Sequence, residues 1–279
     1  MQVVVCGGSG FIGRALCEAL RARGDEVTVL SRQGKALPQA HKVNGVVYQS
    51  YAEPLPQAQA VVNLAGASIA AWPLTARRMR TLVQSRLEVL SCLERGYDRN
   101  LPEILIQTSG SGVMQGPGPC ADDGALAENF YTTMCLEFEL RAEALCRRAG
   151  SVLKILRLGV VVGAGGGLCA ITSRLPPFAL WGAHNYVPYI LLEDTVRALI
   201  LCLDRSELSG PILGVSPHFK TVNELLELCR PTSFLPRLPI PQVLLRALVA
   251  LGDHRPALLL CDQKLHPGKL LEAGLRFTA

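Results

Sequence analysis

The stretch VVVCGGSGFIG, residues 3–13, decides how the rest of the chain is read. Val3 to Val5 make an apolar run of buried-strand character, which breaks into Gly7-x-x-Gly10-x-x-Gly13. Beyond Gly13 the apolar positions Ala15, Leu16, Ala19 and Leu20 return at helical intervals, so strand, tight turn and helix follow one another. Such a unit points free backbone N–H groups and the positive end of a helix at one place, which suits a pyrophosphate. The glycines have separate tasks: one permits the turn, one admits phosphate, and one lets helix pack on strand. The residues expected to contact the ligand here are Gly7, Gly10, Phe11, Ile12 and Gly13. A glycine pattern alone also fits a merely packed turn. Its place at the first strand of an α/β pattern favours nucleotide binding.

That pattern runs on for about two hundred residues. Strands are expected at 2–6, 26–30, 45–49, 60–64, 103–108, 152–157 and 211–215, and helices at 12–23, 75–95, 128–149 and 193–204. Alternation of this kind predicts an α/β fold with a Rossmann-like, doubly wound parallel sheet. Ligands of such sheets bind beyond the carboxyl ends of the strands, so the residues just after each strand matter most. After VTVLSR, residues 27–32, an acidic residue would receive the ribose 2′-OH of NAD, but Ser31 and Arg32 stand there. A hydroxyl and a cation suit a 2′-phosphate, which favours NADP(H); an ordinary surface arginine is the alternative. The next loops are NLAG, Asn63 to Gly66, small residues that let backbone approach a cofactor closely, and QTSGSG (107–112), rich in hydroxyls.

Composition limits the alternatives. The 279 residues, 49% hydrophobic and 18% charged, fit one large domain or two small ones and argue against disorder. A net charge of +5 with no dense basic run gives no footprint for nucleic acid, and TARRMRTLVQSR (75–86) reads as a solvated helix face. Apolar stretches are interrupted by Pro, Gly or charge and fall short of a membrane span. The chain opens directly on a strand without a secretory pattern, so a cytoplasmic protein is expected. No two of its 10 cysteines are closer than 11 residues, so they read as buried reduced thiols rather than metal ligands.

Together these residues resemble the short-chain dehydrogenase/reductase superfamily of the extended, epimerase-like kind, and more narrowly its atypical YfcH-type family. The likeness runs nearly end to end. It rests on GGSGFIG, VTVLSR, VVNLAGASI, WPLTARRMRTLVQSRLE, LRLGVVVG (156–163), the glycines 165–167 and LPPF (175–178). The tail LHPGKLLEAGLRF, 265–277, matches a segment other dehydrogenases lack. The resemblance implies cofactor contacts from Ser31, Arg32, Leu64, Ala65, Arg86 and Val161.

The chain departs from the superfamily where the chemistry lies. Those oxidoreductases use a serine with Tyr and Lys as Y-x-x-x-K, one helical turn apart, so that the ammonium stabilises the phenolate. Here FYTTMC (130–135) puts Cys135 where the lysine belongs, four residues after Tyr131. A tyrosine near its reference value of ~10 is about three units too basic at neutral pH, roughly 4 kcal/mol of missing stabilisation. No compensating cation is visible along the sequence, so Tyr131 is expected to be dispensable, and Ser111 is the better match to a catalytic group. A hydroxyl capping the turn is the structural alternative for Ser111. A second departure lies in YVPYILLEDTVRAL (186–199), where Tyr189 and Leu191 replace the family's tryptophan and histidine.

Residues 1–158 are expected to form the dinucleotide-binding core. Residues 159–279 are expected to form a small, mainly helical substrate lobe that returns to the main sheet at 193–215. The lobe's expected lining, Leu175 to Tyr189, is mostly apolar and aromatic, which suits a small, weakly charged substrate better than a nucleotide sugar. The leading reading is an NADP(H)-binding epimerase-like oxidoreductase; the alternative is a catalytically degenerate nucleotide-binding regulator or redox sensor. Expected partners are a small-molecule substrate and at most a second copy of the chain, without nucleic acid, membrane or metal.

Overall fold

The computed structural model describes residues 1–31, 41–43, 45–52, 54–68, 75–98, 100–116, 119–230, 238–251 and 257–278. The first half comprises β1 (Gln2–Cys6), α1 (Phe11–Ala22), β2 (Glu26–Ser31), β3 (His41–Val43), β4 (Val46–Ser50), β5 (Ala60–Asn63), α2 (Ala76–Tyr97), β6 (Ile104–Gly110), β7 (Pro119–Cys120) and α3 (Phe130–Ala149). There follow β8 (Val152–Leu158), β9 (Val160–Val162), α4 (Gly167–Thr172), β10 (Phe178–Trp181), β11 (Tyr189–Leu191), α5 (Leu192–Asp204) and β12 (Gly210–Gly214). The chain continues through α6 (Val222–Leu228), β13 (Leu238–Pro241), α7 (Gln242–Ala250), α8 (Ala257–Leu260), β14 (Lys264–Leu265) and α9 (Gly268–Glu272).

The main sheet runs β12-β8-β6-β5-β1-β2-β4-β3, parallel throughout except for the antiparallel edge strand β3. This is the doubly wound fold expected from the sequence. Alternate residues of β1 explain why helices cover both faces. Val3 and Val5 face α1 and α5 through Leu16, Leu20 and Leu199, while Val4 and Cys6 face α2 and α3 through Leu82, Leu90 and Phe138. A strand buried on both sides must read as a continuous apolar run, as VVVC does. Chain order reverses between β1 and β5, and the carboxyl ends of those strands are where sheets of this kind hold their ligands.

A third cluster, around Leu180, Val187, Tyr189, Val222 and Leu225, forms away from the sheet. It carries the strand pairs β9–β11 and β10–β13 among its short helices. Those strands have 3 or 4 residues each, too short for a period to show in sequence. No described helix is long and apolar enough to cross a membrane. Burial pushes the thiols of Cys6, Cys146 and Cys202 up to about 12, and that of Cys17 to about 11, so these behave as core side chains.

The C-terminal segment is tied back by two buried aspartates. Asp122 accepts from the Leu213 amide at 2.6 Å and from the Lys269 amide at 3.0 Å, joining β12 to the start of α9. Asp194 accepts from both the amide and the hydroxyl of Thr278. Gly116 leaves room for this segment, since a Cβ there would lie 2.4 Å from the Asp262 carbonyl oxygen. Asp122→Ala would orphan two amides, and hydrogen bonds to a charged group contribute about 1.5–3 kcal/mol each. The expected result is a loss of about 3 kcal/mol in urea unfolding, with proteolytic release of the tail before the sheet opens.

Candidate functional site

The crevice at the strand-order reversal is built by two loops in contact. Gly7 has φ +80, and a Cβ on it would meet Ala65 N and Cα at 2.9 Å. Only glycine suits both that backbone and that approach. Gly10 N donates to Gly7 O at 3.0 Å, closing the turn. Gly10 then caps α1 without a side-chain bond, which leaves the helix-start amides of Phe11, Ile12 and Gly13 for the crevice. Gly13 lies hard against the turn: a Cβ would be 2.3 Å from Gly7 O and 2.6 Å from Gly8 Cα.

The wall opposite, Leu64 to Gly66, is shaped by a residue the sequence reading passed over as merely small. Asn63 is fully buried; its Oδ1 accepts from Ala65 N at 3.1 Å and its Nδ2 donates to Gln107 Oε1 at 2.8 Å. The Asn63 carbonyl also accepts from Thr108 Oγ1 at 2.8 Å. The loop is thus latched to both β5 and β6. Ser31 ends β2 beside this crevice, while Arg32 lies outside the described residues.

Arg86 reaches the same wall from α2. Its Nη1 donates to Leu82 O at 2.9 Å and Ala67 O at 3.4 Å, and a Cβ on Gly66 would lie 2.7 Å from its Cζ. The guanidinium sits over the Phe138 ring, 5.6 Å from the centroid. Burial pulls its pKa down, the thiol of Cys135 being the charged-form partner that opposes this.

The start of α3, which carries Tyr131, is held against the turn that carries Ser111. Ser111 is buried in a short 3-10 turn after β6. Asn129 caps α3 by accepting from Thr132 N at 3.0 Å and donates to Gly112 O at 3.1 Å, pinning the helix start to that turn. A Cβ on Gly112 would lie 3.8 Å from the Tyr131 Cβ. Cys135 follows on the same face, its thiol pushed up by burial beside Ser109 and the Gly110 backbone. Behind it Arg157 and Glu139 form a buried ion pair at 2.8 Å.

Val161 lies in β9, and its carbonyl touches Gly167, where a Cβ would be 2.2 Å from the oxygen. Gly163, Gly166 and Gly167 wrap the Phe11 ring, the Gly166 position falling 2.1 Å from Cδ2. The run GAGGG therefore answers a ring on another element. Of the expected lobe lining, Tyr186 and Tyr189 border a shallow, narrow crevice with His218, Phe219 and Lys220, whereas Trp181 is 73% exposed. Lys264 Nζ stands 4.2 Å above the Tyr186 ring at this crevice. Among the described residues no group of three or more His, Cys, Asp or Glu converges as a metal site.

A glycine-walled crevice at the β1–β5 switch, an uncapped helix start and an adjacent cation together fit the pyrophosphate and ribose of a dinucleotide. Comparison with known proteins points the same way. The family model described as the NAD dependent epimerase/dehydratase family matches residues 3–213. The chain is 32% identical over its full length to the Bos taurus Epimerase family protein SDR39U1, covering 96% of it. It is 28% identical to the Mycobacterium tuberculosis Epimerase family protein MT2273, over 99% of this chain and 93% of that one. The crystal structure of human epimerase family protein SDR39U1 (isoform 2) with NADPH superimposes with a TM-score of 0.80 at 25% identity, covering 100% of this chain and 95% of that chain. The Thermotoga maritima UDP-glucose 4-epimerase with UDP-glucose, 20% identical with a TM-score of 0.75, covers 100% of this chain and 94% of its own, and shares the fold.

Proposed function

The chain belongs to the NAD dependent epimerase/dehydratase family, and from that premise we propose that it is an NADP(H)-dependent, epimerase-like oxidoreductase acting on a small molecule. The observation that carries this reading is the contact of Gly7 with Ala65 across the switch point, beside the uncapped start of α1. Gly7 lets the two loops close on each other at the switch point, and the uncapped amides of α1 beside them are placed to receive a pyrophosphate. The similar human protein was crystallised with NADPH, which supports the phosphorylated cofactor.

In this reading the amides of Phe11, Ile12 and Gly13 hold the pyrophosphate, and Ser31 with Arg32 receives the 2′-phosphate. Leu64, Ala65 and Gly66 face the riboses, and Arg86 and Val161 border the nicotinamide end. When bound, the cofactor would supply or accept hydride. Ser111 polarises the substrate oxygen, and the apolar walls keep water out. The mostly apolar and aromatic stretch from Leu175 to Tyr189 favours a small carbonyl or alcohol over a nucleotide sugar. Ten free thiols suit a reducing compartment such as the cytoplasm.

A fluorescence titration tests the cofactor. NADPH is expected to bind at least about tenfold more tightly than NADH, because a charge-assisted phosphate contact contributes on the order of 1.5–3 kcal/mol. Arg32→Ala should erase most of that difference while leaving NADH affinity unchanged. Equal affinities in the unaltered protein would refute the NADP(H) assignment.

A further inference from the structure

Arg86 is a half-buried cation whose guanidinium donates to two carbonyl oxygens, with no carboxylate paired to it among the described residues. A guanidinium partly out of water without an anion is a candidate for a functional role. Its position shows what it faces. Tyr131, Cys135 and Phe138 are spaced four and three residues apart on α3 and so line one face of that helix. The guanidinium lies over Phe138, with Cys135 as its ionisable neighbour. It therefore stands, from α2, over the stretch of α3 where a Y-x-x-x-K lysine would project.

We propose that Arg86 performs the missing lysine's task, its charge holding the ionised phenol of Tyr131 so that Tyr131 is the acid–base residue beside Ser111. The proposal rests on the oxidoreductase reading and deepens it. Along the sequence Tyr131 reads as dispensable because no compensating cation is visible there; Arg86 lies 45 residues earlier and meets α3 only through the fold. Glu139 is neutralised by Arg157 of β8, Cys135 carries a thiol that burial keeps protonated, and Ser109 and Ser111 are neutral hydroxyls. In the reductive direction the Tyr131 Oη–H bond breaks and the proton goes to the oxyanion formed from the substrate carbonyl. The electron pair stays on Oη, where the guanidinium stabilises it, and water returns the proton.

The test needs neither substrate nor cofactor. Tyrosinate absorbance is titrated in the wild type and in Arg86→Gln, each with and without Tyr131→Phe, so that the difference isolates Tyr131. Its midpoint is expected at least about one pH unit lower in the wild type than in Arg86→Gln, a tenfold change in ionisation. Arg86→Gln combined with Cys135→Lys should recover the lower midpoint, since the cation returns on α3. Identical midpoints with and without Arg86, in proteins of unchanged circular dichroism, would overturn the proposal. Should Arg86→Gln fail to fold, the wild type decides alone: a Tyr131 midpoint at or above that of N-acetyltyrosinamide overturns it. Failure of NADPH to bind would instead strike the cofactor assignment and leave this measurement standing.

Discussion

Gly13→Ala is expected to weaken NADPH binding at least about a hundredfold, close to 3 kcal/mol. The added methyl would lie 2.3 Å from Gly7 O and 2.6 Å from Gly8 Cα, and both are backbone atoms of a turn already pressed on Ala65. Neither can rotate away as a side chain could, so α1 must lift and carry its amides off the pyrophosphate. Gly24→Ala is the control. Gly24 has φ +90, with nothing within 4 Å of a Cβ, so it should cost about 1 kcal/mol of stability through backbone strain and leave NADPH affinity alone. Binding to Gly13→Ala within threefold of the wild type would remove the steric account of this motif.

The largest loss of stability should come from Glu139→Ala. Both side chains of the pair are nearly inaccessible, at 6% for Arg157 and 4% for Glu139, and Arg157 Nη1 also meets Met114 Sδ at 3.4 Å. Removing the carboxylate strands a guanidinium in the core, which costs about 3–5 kcal/mol. Glu139→Leu with Arg157→Met should recover most of it, because both charges then leave together. Chemical unfolding of the three proteins measures this. A double variant no more stable than Glu139→Ala would show that the pair is not simply balanced against apolar packing.

The turn from β1 into α1 was legible because every local signal agreed: apolar run, glycine spacing and helical return all lie within one segment. The long helices were found for the same reason, and the structure begins or ends them within two residues of expectation. What escaped was whatever depends on distant partners. Asn63 reads as one small residue among others until Gln107, 44 residues on, completes its latch. Arg86 was placed at the cofactor by resemblance, but its seat beside Cys135 exists only once α2 packs on α3. The lobe misled differently. Val243, Leu244 and Leu251 on and just after α7 are 65%, 54% and 84% exposed, so apolar pattern there does not mark an inner face.

Phe11 has one foot in each half of the crevice. Its amide belongs to the helix start, while its ring is the post around which Gly163, Gly166 and Gly167 are wound. A ligand that immobilises the amide also steadies the post, and the loop that leads into α4 loses freedom with it. Thermodynamic reciprocity then requires that whatever orders this loop from the lobe side tighten the hold on the ligand by the same factor. The two halves would fill cooperatively, through a single benzyl group and with no change of fold.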